Sequence, residues 1–440
     1  MTFLYDVLQQ GRRAVVQALN GASIEHDAPF SPDVPDDLRE WLPDLFDRFP
    51  VVLPWARAEP VDPALHNVWI FDNTAFRTPQ AGDHRPDLAK LANPQTTQPT
   101  SNGKPTRGGS GWEVEFVAAY FVKDSQNDLS QAVAKLVKAL NIGREDIATK
   151  KLIASRLEPF ASKILAHRTL RISIASMEEQ TLGPSSLAGV SSELHELHIQ
   201  PPDNKTVQST PLDLPPPFGM SSTTVFAGET GWGLISDIDD TIKVTGSNDP
   251  VSVLHTTFAV AEPEPVTGMP ELYAHISKTL RNPATFYLSA SPYPLYPFLR
   301  DFERAHYPQG TIILRDASWQ NLGGLVASLQ EGVEKYKVDR LVKIHAWLPH
   351  RRFVCVGDSL QSDPEAYGEA ARRFPGWIRA IFIRRVGTNA EKVKQERFEE
   401  AFRGLDRRLW HVFTDAGELS ERIDELGRDD EALVGGEHFG

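Results

Sequence analysis

The chain has 440 residues, 40% of them hydrophobic, and a formal net charge of -13. That size supports one large domain or two ordinary ones, and two is the expectation. The acidic balance excludes broad attraction to nucleic acid or anionic lipid as a global effect, and the single cysteine, Cys355, excludes an internal disulfide framework and suits a reducing compartment.

The opening "MTFLYDVLQQGRRAVV" carries acid and amide residues where a signal peptide needs basic and then unbroken apolar ones. No stretch reaches the 18 uninterrupted apolar residues of a membrane span. The expectation is therefore a cytoplasmic chain without a transmembrane segment.

Residues 1–60 read as a helical segment ending in "FPVVLPWAR". Residues 61–200 read as a β-rich leading domain. "HNVWIFDNTAF" predicts a strand, "ANPQTTQPTSNGKPTRGGSG" a loop, and the alternation at Glu113, Val114, Glu115 and Phe116 a half-buried strand. A helical hairpin follows as an insertion, with one apolar stripe at Leu129, Val133, Leu136, Val137 and Leu140 and another at Ile153, Leu157, Phe160 and Ile164. "TLRISIA" returns to strand alternation. The proline-rich stretch over 201–224 predicts a linker, with its triple proline as a candidate SH3-type ligand.

From residue 225 to about 425 the pattern changes. "WGLIS", "TFYLSAS", "TIILRD", "RFVCVGD" and "IRAIFIRR" are near-continuous apolar runs separated by helical stretches, which predicts a parallel sheet covered on both faces. Reactive groups in such sheets gather at the carboxyl ends of the strands, which places Asp237, Ser289 and Asp358 on one edge. Residues 426–440 read as an acidic tail. Between Arg340 and Arg385 nine basic residues stand against four acidic ones, a distribution that suits solvated helix faces and strand ends.

"SDIDDT" puts Asp237 and Asp239 two apart in the turn leaving an apolar strand. Burying such a pair without compensation is costly, and a divalent cation removes the repulsion. Hard oxygen ligands with few protein contacts favour magnesium. The bland alternative is a turn or helix cap, where aspartate is also common; Asp240 reads as such a cap or as polar filler. The thirteen histidines form no close ligand spacing, so zinc is not expected.

"DIDDT", "FYLSAS", a lysine within "EKYKVDRLVKI" and "VGDSLQSD" occur in the order of the four motifs of the haloacid dehalogenase superfamily, which the chain resembles. The resemblance implies a Rossmann-like parallel sheet and phosphoryl transfer. Asp237 is then the nucleophile, Asp239 the general acid and base, and Thr241 the residue fixing the turn. Ser289 would bond a phosphoryl oxygen and a lysine would neutralise developing charge. Lys337 is the choice for that lysine, with Lys335 and Lys343 as rivals. Magnesium would sit with Asp237, the Asp239 carbonyl and Asp358, with Asp363 as an auxiliary ligand.

"GLISDIDDTIKVTG", "FYLSASPYPLYPFLRDF" and "FVCVGDSLQSDPEAY" resemble more closely the fungal actin-patch family of magnesium-dependent phosphatidate phosphatases, over roughly residues 225–420 and more weakly at "VVLPWAR". That resemblance implies hydrolysis of phosphatidate to diacylglycerol and phosphate, with peripheral placement at membranes or cortical actin patches and endocytic partners. Tyr336 stands where the family often has histidine, and the tail lacks proline. Val251, Leu254 and Phe258 predict an amphipathic helix that either packs on the sheet or faces a membrane as a lid. Tyr293, Leu295, Tyr296 and Phe298 would meet acyl chains or cap the core. Two other readings stay open: a phosphatase for soluble monoesters or phosphoproteins, and a catalytically silent scaffold.

Overall fold

The structure, a computed structural model, describes residues 58–77, 111–123, 129–143, 145–315, 333–387 and 391–436. Of the expected N-terminal helical segment only residues 58–60 fall among them, and the loop over 92–111 lies outside them up to residue 110.

Ten strands between Glu59 and Ala227 hydrogen-bond into one sheet system. They are β1 (Glu59–Pro60), β2 (His66–Ile70), β3 (Asn73–Arg77), β4 (Trp112–Val122), β5 (Arg168–Ile174), β6 (Glu178–Leu182), β7 (Val190–Leu197), β8 (Thr206–Pro211), β9 (Gly219–Met220) and β10 (Ser222–Ala227). Strand β4 shows why the region folds. Val114, Phe116, Ala118 and Tyr120 point into one core with Val68, Leu170, Ile172 and Phe226, whereas Ala119 and Phe121 point into another. The second face packs on a helical hairpin, α1 (Ser130–Ala139) and α2 (Ile147–Ala161), through Leu136, Ile153 and Leu157.

Two expectations differ here. "HNVWIFDNTAF" forms β2 and β3, divided at Phe71–Asp72, rather than one strand. The proline-rich stretch over 201–224 is not a free spacer, because β8 pairs with β5 and β10, and β10 pairs with β3. Its prolines sit in the connections or at the end of β8, and the "TVQST" between them keeps every N–H a ladder requires.

The C-terminal half is a six-stranded parallel sheet: β11 (Trp232–Asp237), β12 (Ala284–Pro292), β13 (Thr311–Arg315), β14 (Arg352–Asp358), β15 (Ile378–Arg384) and β16 (Trp410–Phe413). The spatial order is β13-β12-β11-β14-β15-β16, so the chain winds outward from β11 and then restarts beside it at β14. That reversal is the switch point where such sheets open a crevice at the strands' carboxyl ends. Around the sheet lie α3 (Pro250–Leu254), α4 (Met269–Thr279), α5 (Tyr296–His306), α6 (Val333–Trp347), α7 (Asp363–Arg373), α8 (Glu391–Ala401) and α9 (Ser420–Gly436).

Alternation along the strands splits the core in two. Leu234, Val354, Val356 and Phe382 face Leu272, Ile276 and Ile423, while Ile235, Phe353, Cys355 and Ile383 face Leu341, Ile344 and Ala370. The chain is thus an α/β fold with a β-rich leading region, as the sequence implies. Within the expected acidic tail, α9 (Ser420–Gly436) continues past the buried Ile423 and Leu426, and residues 437–440 lie outside the described residues. No helix among the described residues is long and apolar enough to cross a membrane.

The two halves share one apolar core, in which Phe71 and the hairpin meet Phe258, Tyr293 and Tyr296. Polar contacts lock the seam. Asp72 is nearly inaccessible; its carboxylate accepts from Arg300 Nε and Nη2 at 2.7 and 2.8 Å and from the Thr223 amide at 2.6 Å. Lys343 reaches across to Glu115 at 2.5 Å. Breaking a buried pair by removing one partner costs about 3–5 kcal/mol. Asp72→Ala is therefore expected to lower stability in urea unfolding by about 3–5 kcal/mol; a change under about 1 kcal/mol contradicts this account of the seam.

Glu303 lies at the same seam. Its Oε1 accepts from the Gly310 amide at 2.8 Å, its Oε2 has no partner among the described residues, and burial pushes its carboxyl up to about 8. Because the folded pKa exceeds the unfolded one, the stability this group contributes is present below the ordinary carboxyl range and is lost as pH rises through about 8. Melting temperatures of wild type and Glu303→Gln across this window should diverge, with wild type falling more steeply toward alkaline pH. Parallel curves contradict the assignment.

Candidate active site

Strand β11 delivers Asp237, fully buried, to the crevice at the switch point. The turn after it is held by Asp240, whose backbone adopts φ 59°, a left-handed conformation that aspartate tolerates. The Asp240 carboxylate accepts from the amides of Thr245, Gly246 and Ser247 at 3.0, 2.8 and 2.6 Å. Asp240 therefore builds the loop and does not face the neighbouring carboxylates.

Strand β14 delivers Asp358, and α7 begins at Asp363. One oxygen from each of Asp237, Asp358 and Asp363 lies within 4.8 Å of the others, and all three residues are buried. Gly357 makes this approach feasible, since a Cβ there would sit 2.5 Å from that of Asp363. From α6, the buried Lys337 Nζ donates to Asp237 Oδ1 at 2.6 Å and Asp363 Oδ1 at 2.5 Å. Its rivals stand elsewhere: Lys335 is exposed and Lys343 is engaged by Glu115. Thr241 donates to Asp237 Oδ2 at 3.1 Å.

Asp239 occupies a second layer, its side chain outside the three-carboxylate cluster. Its Oδ1 takes Lys243 Nζ at 3.1 Å and Thr245 Oγ1 at 2.9 Å, and its Oδ2 takes Ser289 Oγ at 3.0 Å. Ser289 sits where β12 slips register between Leu288 and Pro292, and it accepts from the Ser291 amide at 3.0 Å. Lys243, Thr245, Gln361 and Arg384 did not stand out in the sequence. Gln361 Nε2 lies 3.4 Å from the Asp239 carbonyl, and Arg384 Nη1 donates to the Asp240 carbonyl at 2.7 Å. No spacing in the sequence marks Lys243, because its burial, rare for a lysine unless paired, is visible only in the structure.

Electrostatics divides the two carboxylate layers. Burial raises Asp237 well above the usual range; Asp363 raises it further, and Lys337 only partly opposes this. Burial and Asp363 push Asp358 up to about 8. For Lys337 burial favours the neutral form, but Asp237 and Asp363 outweigh it and hold the lysine charged. Acid and base shift the same way because one ammonium cannot neutralise three carboxylates. For Asp239 burial is outweighed by Lys243, Thr245 and Ser289, and its carboxyl falls below the usual range.

The cluster fits a hard divalent cation. Asp358 Oδ1 accepts from the Leu360 and Gln361 amides at 2.5 and 3.1 Å, yet its Oδ2 is buried with no partner among the described residues. A buried acceptor without a donor, beside excess negative charge, is what a cation corrects.

Residues 232–385 match the family described as the catalytic domain of phosphatidate phosphatase APP1. The chain resembles that phosphatase family. Every residue of both carboxylate layers, with Thr241, Ser289 and Lys337, lies inside the matched segment. Phosphatidate phosphatase APP1 of Saccharomyces cerevisiae is 26% identical over 290 residues, covering 62% of this chain and 48% of the yeast protein. An uncharacterized protein of Schizosaccharomyces pombe is 30% identical over 184 residues, covering 41% of this chain and 29% of its own length. The chain thus aligns with at most about half of either curated relative.

The orphaned oxygen gives a direct test. Magnesium at about 100 times its Kd should stabilise wild type by about 2.7 kcal/mol, and Asp358→Asn should remove most of that gain in a thermal-shift titration. An equal shift in both proteins contradicts a site at Asp358.

Proposed function

We propose that this chain is a magnesium-dependent phosphatidate phosphatase of the haloacid dehalogenase type, releasing diacylglycerol and phosphate through an aspartyl-phosphate at Asp237. The observation that carries the reading is the convergence of Asp237, Asp358, Asp363 and Lys337 at the switch point of a doubly wound sheet, within the segment that matches the family.

A carboxylate oxygen of Asp237 attacks phosphorus, the bond to the glycerol oxygen breaks, and that oxygen takes a proton from Asp239, which must bind one before the step because Lys243, Thr245 and Ser289 favour its ionised form. Asp239 then removes a proton from water, whose oxygen attacks the same phosphorus and expels the Asp237 carboxylate. Ser289 holds Asp239 and lies at the edge where a phosphoryl oxygen would sit. Lys337 places positive charge beside the nucleophile. Asp237, Asp358, Asp363 and the Asp239 carbonyl would hold magnesium, which when bound neutralises phosphoryl charge. Peripheral placement at membranes, cortical actin-patch partners and SH3-type ligands of the exposed triple proline belong to the same proposal.

One observation favours a soluble ester instead. Phe258 and Tyr296 are 0% exposed and Tyr293 and Leu295 nearly so, so these residues cap the core rather than wait for acyl chains. The lid reading for Val251, Leu254 and Phe258 changes with it, because a π-helical turn over His255–Ala259 rotates Val253, Thr257 and Phe258 inward.

Phosphate release from phosphatidate in vesicles, set against a soluble aryl phosphate, decides between the substrates; equal or better turnover of the soluble ester contradicts the lipid reading. Asp237→Asn is expected to lower both by about a thousandfold or more with folding unchanged. Activity surviving that change contradicts the mechanism, and a wild type inactive on every ester supports the scaffold reading.

A further inference from the structure

We propose that Arg156, on helix α2 of the leading region's hairpin, is a positioning residue for the phosphatase site: from outside the matched catalytic segment it holds the π-helical turn that in turn holds Asp239. The inference rests on the reading of Asp239 as proton donor to the leaving group.

Arg156 is half-buried, and no carboxylate among the described residues bonds it. Its Nη1 donates to the carbonyls of Thr257 at 2.8 Å and Val260 at 2.6 Å, and its Nη2 donates to Ala261 at 2.8 Å. These carbonyls close the C-terminal end of the π-helical turn His255–Ala259. Such an end carries partial negative charge and unpaired acceptors, and the planar fork of a guanidinium can serve several at once. The guanidinium also lies 4.5 Å from the Phe298 ring, beyond the strand that carries Ser289. One turn along α2, Phe160 meets the buried Phe258 with ring centroids 5.8 Å apart. The hairpin thus grips the turn at its end and at its middle.

The turn reaches inward to the site. The Thr256 hydroxyl has the Thr245 carbonyl at 3.1 Å as one of its acceptors, beside the Ser252 and Val253 carbonyls at 2.9 and 3.2 Å, and Thr245 Oγ1 donates to Asp239 Oδ1 at 2.9 Å. A continuous path of hydrogen bonds and one short helical turn therefore runs from Arg156 to the Asp239 carboxylate. Core filling alone does not call for an arginine here, since Ile153 and Leu157 already supply the apolar contact. Burial without an acid partner disfavours the charge and pulls the guanidinium down to about 10, so its retention is explained by the carbonyls it serves. Single π-helical turns are uncommon and occur frequently at functional sites.

The test uses the full chain, magnesium and a series of soluble aryl phosphates running from good to poor leaving groups. Proton donation matters most when the leaving group is poor. Arg156→Met is expected to lower kcat for the poorest leaving group by roughly tenfold to a hundredfold and to leave the best within about twofold, with KM little changed. Arg156→Lys should fall between wild type and Arg156→Met, and Thr256→Val should reproduce the steeper dependence. A loss of folded enzyme would instead lower every ester by one factor.

An equal fall across the series, or no fall, at an unchanged melting temperature overturns the proposal; if Arg156→Met does not fold, Thr256→Val decides by the same criterion. Asp239→Asn is the control. If it fails to steepen the dependence, the reading of Asp239 has failed and not the part assigned to Arg156.

Discussion

Three buried carboxylates face one buried ammonium, and that imbalance governs the catalytic half. Asp237, Asp358 and Asp363 come from a strand end, a neighbouring strand end and a helix start, so only the restart of the sheet at β14 can bring them together. Lys337 engages two of them, and Asp358 Oδ2 is without a donor among the described residues. Apolar walls on both sheet faces keep water from screening the charges, which is why burial is the largest cause of the upward shifts of Asp237 and Asp358. A fold that depended on these groups for stability would pair them; this one leaves negative charge in excess, the condition that favours a bound cation.

The second carboxylate layer obeys a different rule. Asp239 is fully bonded by Lys243, Thr245 and Ser289, which hold its carboxyl below the usual range, whereas burial raises Asp237 and Asp358. Two acids two residues apart thus acquire opposite character from their surroundings; the proposed roles need Asp237 ionised and Asp239 protonated, and a cation bound beside Asp237 would favour the first of these. The leading region takes part in this. Its hairpin shares a core with the turn over the site, and Asp72, Glu115 and Arg156 carry polar contacts across the seam. The β-rich half therefore shares a core and polar contacts with the catalytic half and is more than an appended binding module.

Much of the catalytic half was legible because its signals are local. Apolar runs ending in Asp237, Ser289 and Asp358 mark strands of a covered parallel sheet, and their carboxyl ends fall on one edge by topology. Lys337 was separable from Lys335 and Lys343 only in three dimensions, since the helical phase that buries it depends on what α6 packs against. The leading region was read less well. Proline content hid β8 and β10, because pairing depends on which N–H groups remain and not on composition. A one-residue π expansion shifted the buried positions around Phe258, a change no 3.6-residue period anticipates. Lys243, Gln361 and Arg156 act through main-chain carbonyls or through another acid, and such partners leave no spacing in the sequence.

The central claim is that the carboxylates at 237, 358 and 363 exist to bind a divalent ion beside the nucleophile. Anomalous diffraction from crystals grown with manganese in place of magnesium addresses it without reference to turnover. The account predicts one peak at about 2.0–2.2 Å from oxygens of Asp237 and Asp358, with Asp358 Oδ2 no longer orphaned. Crystals showing no peak there, or a peak elsewhere with the three carboxylates splayed apart, would contradict it.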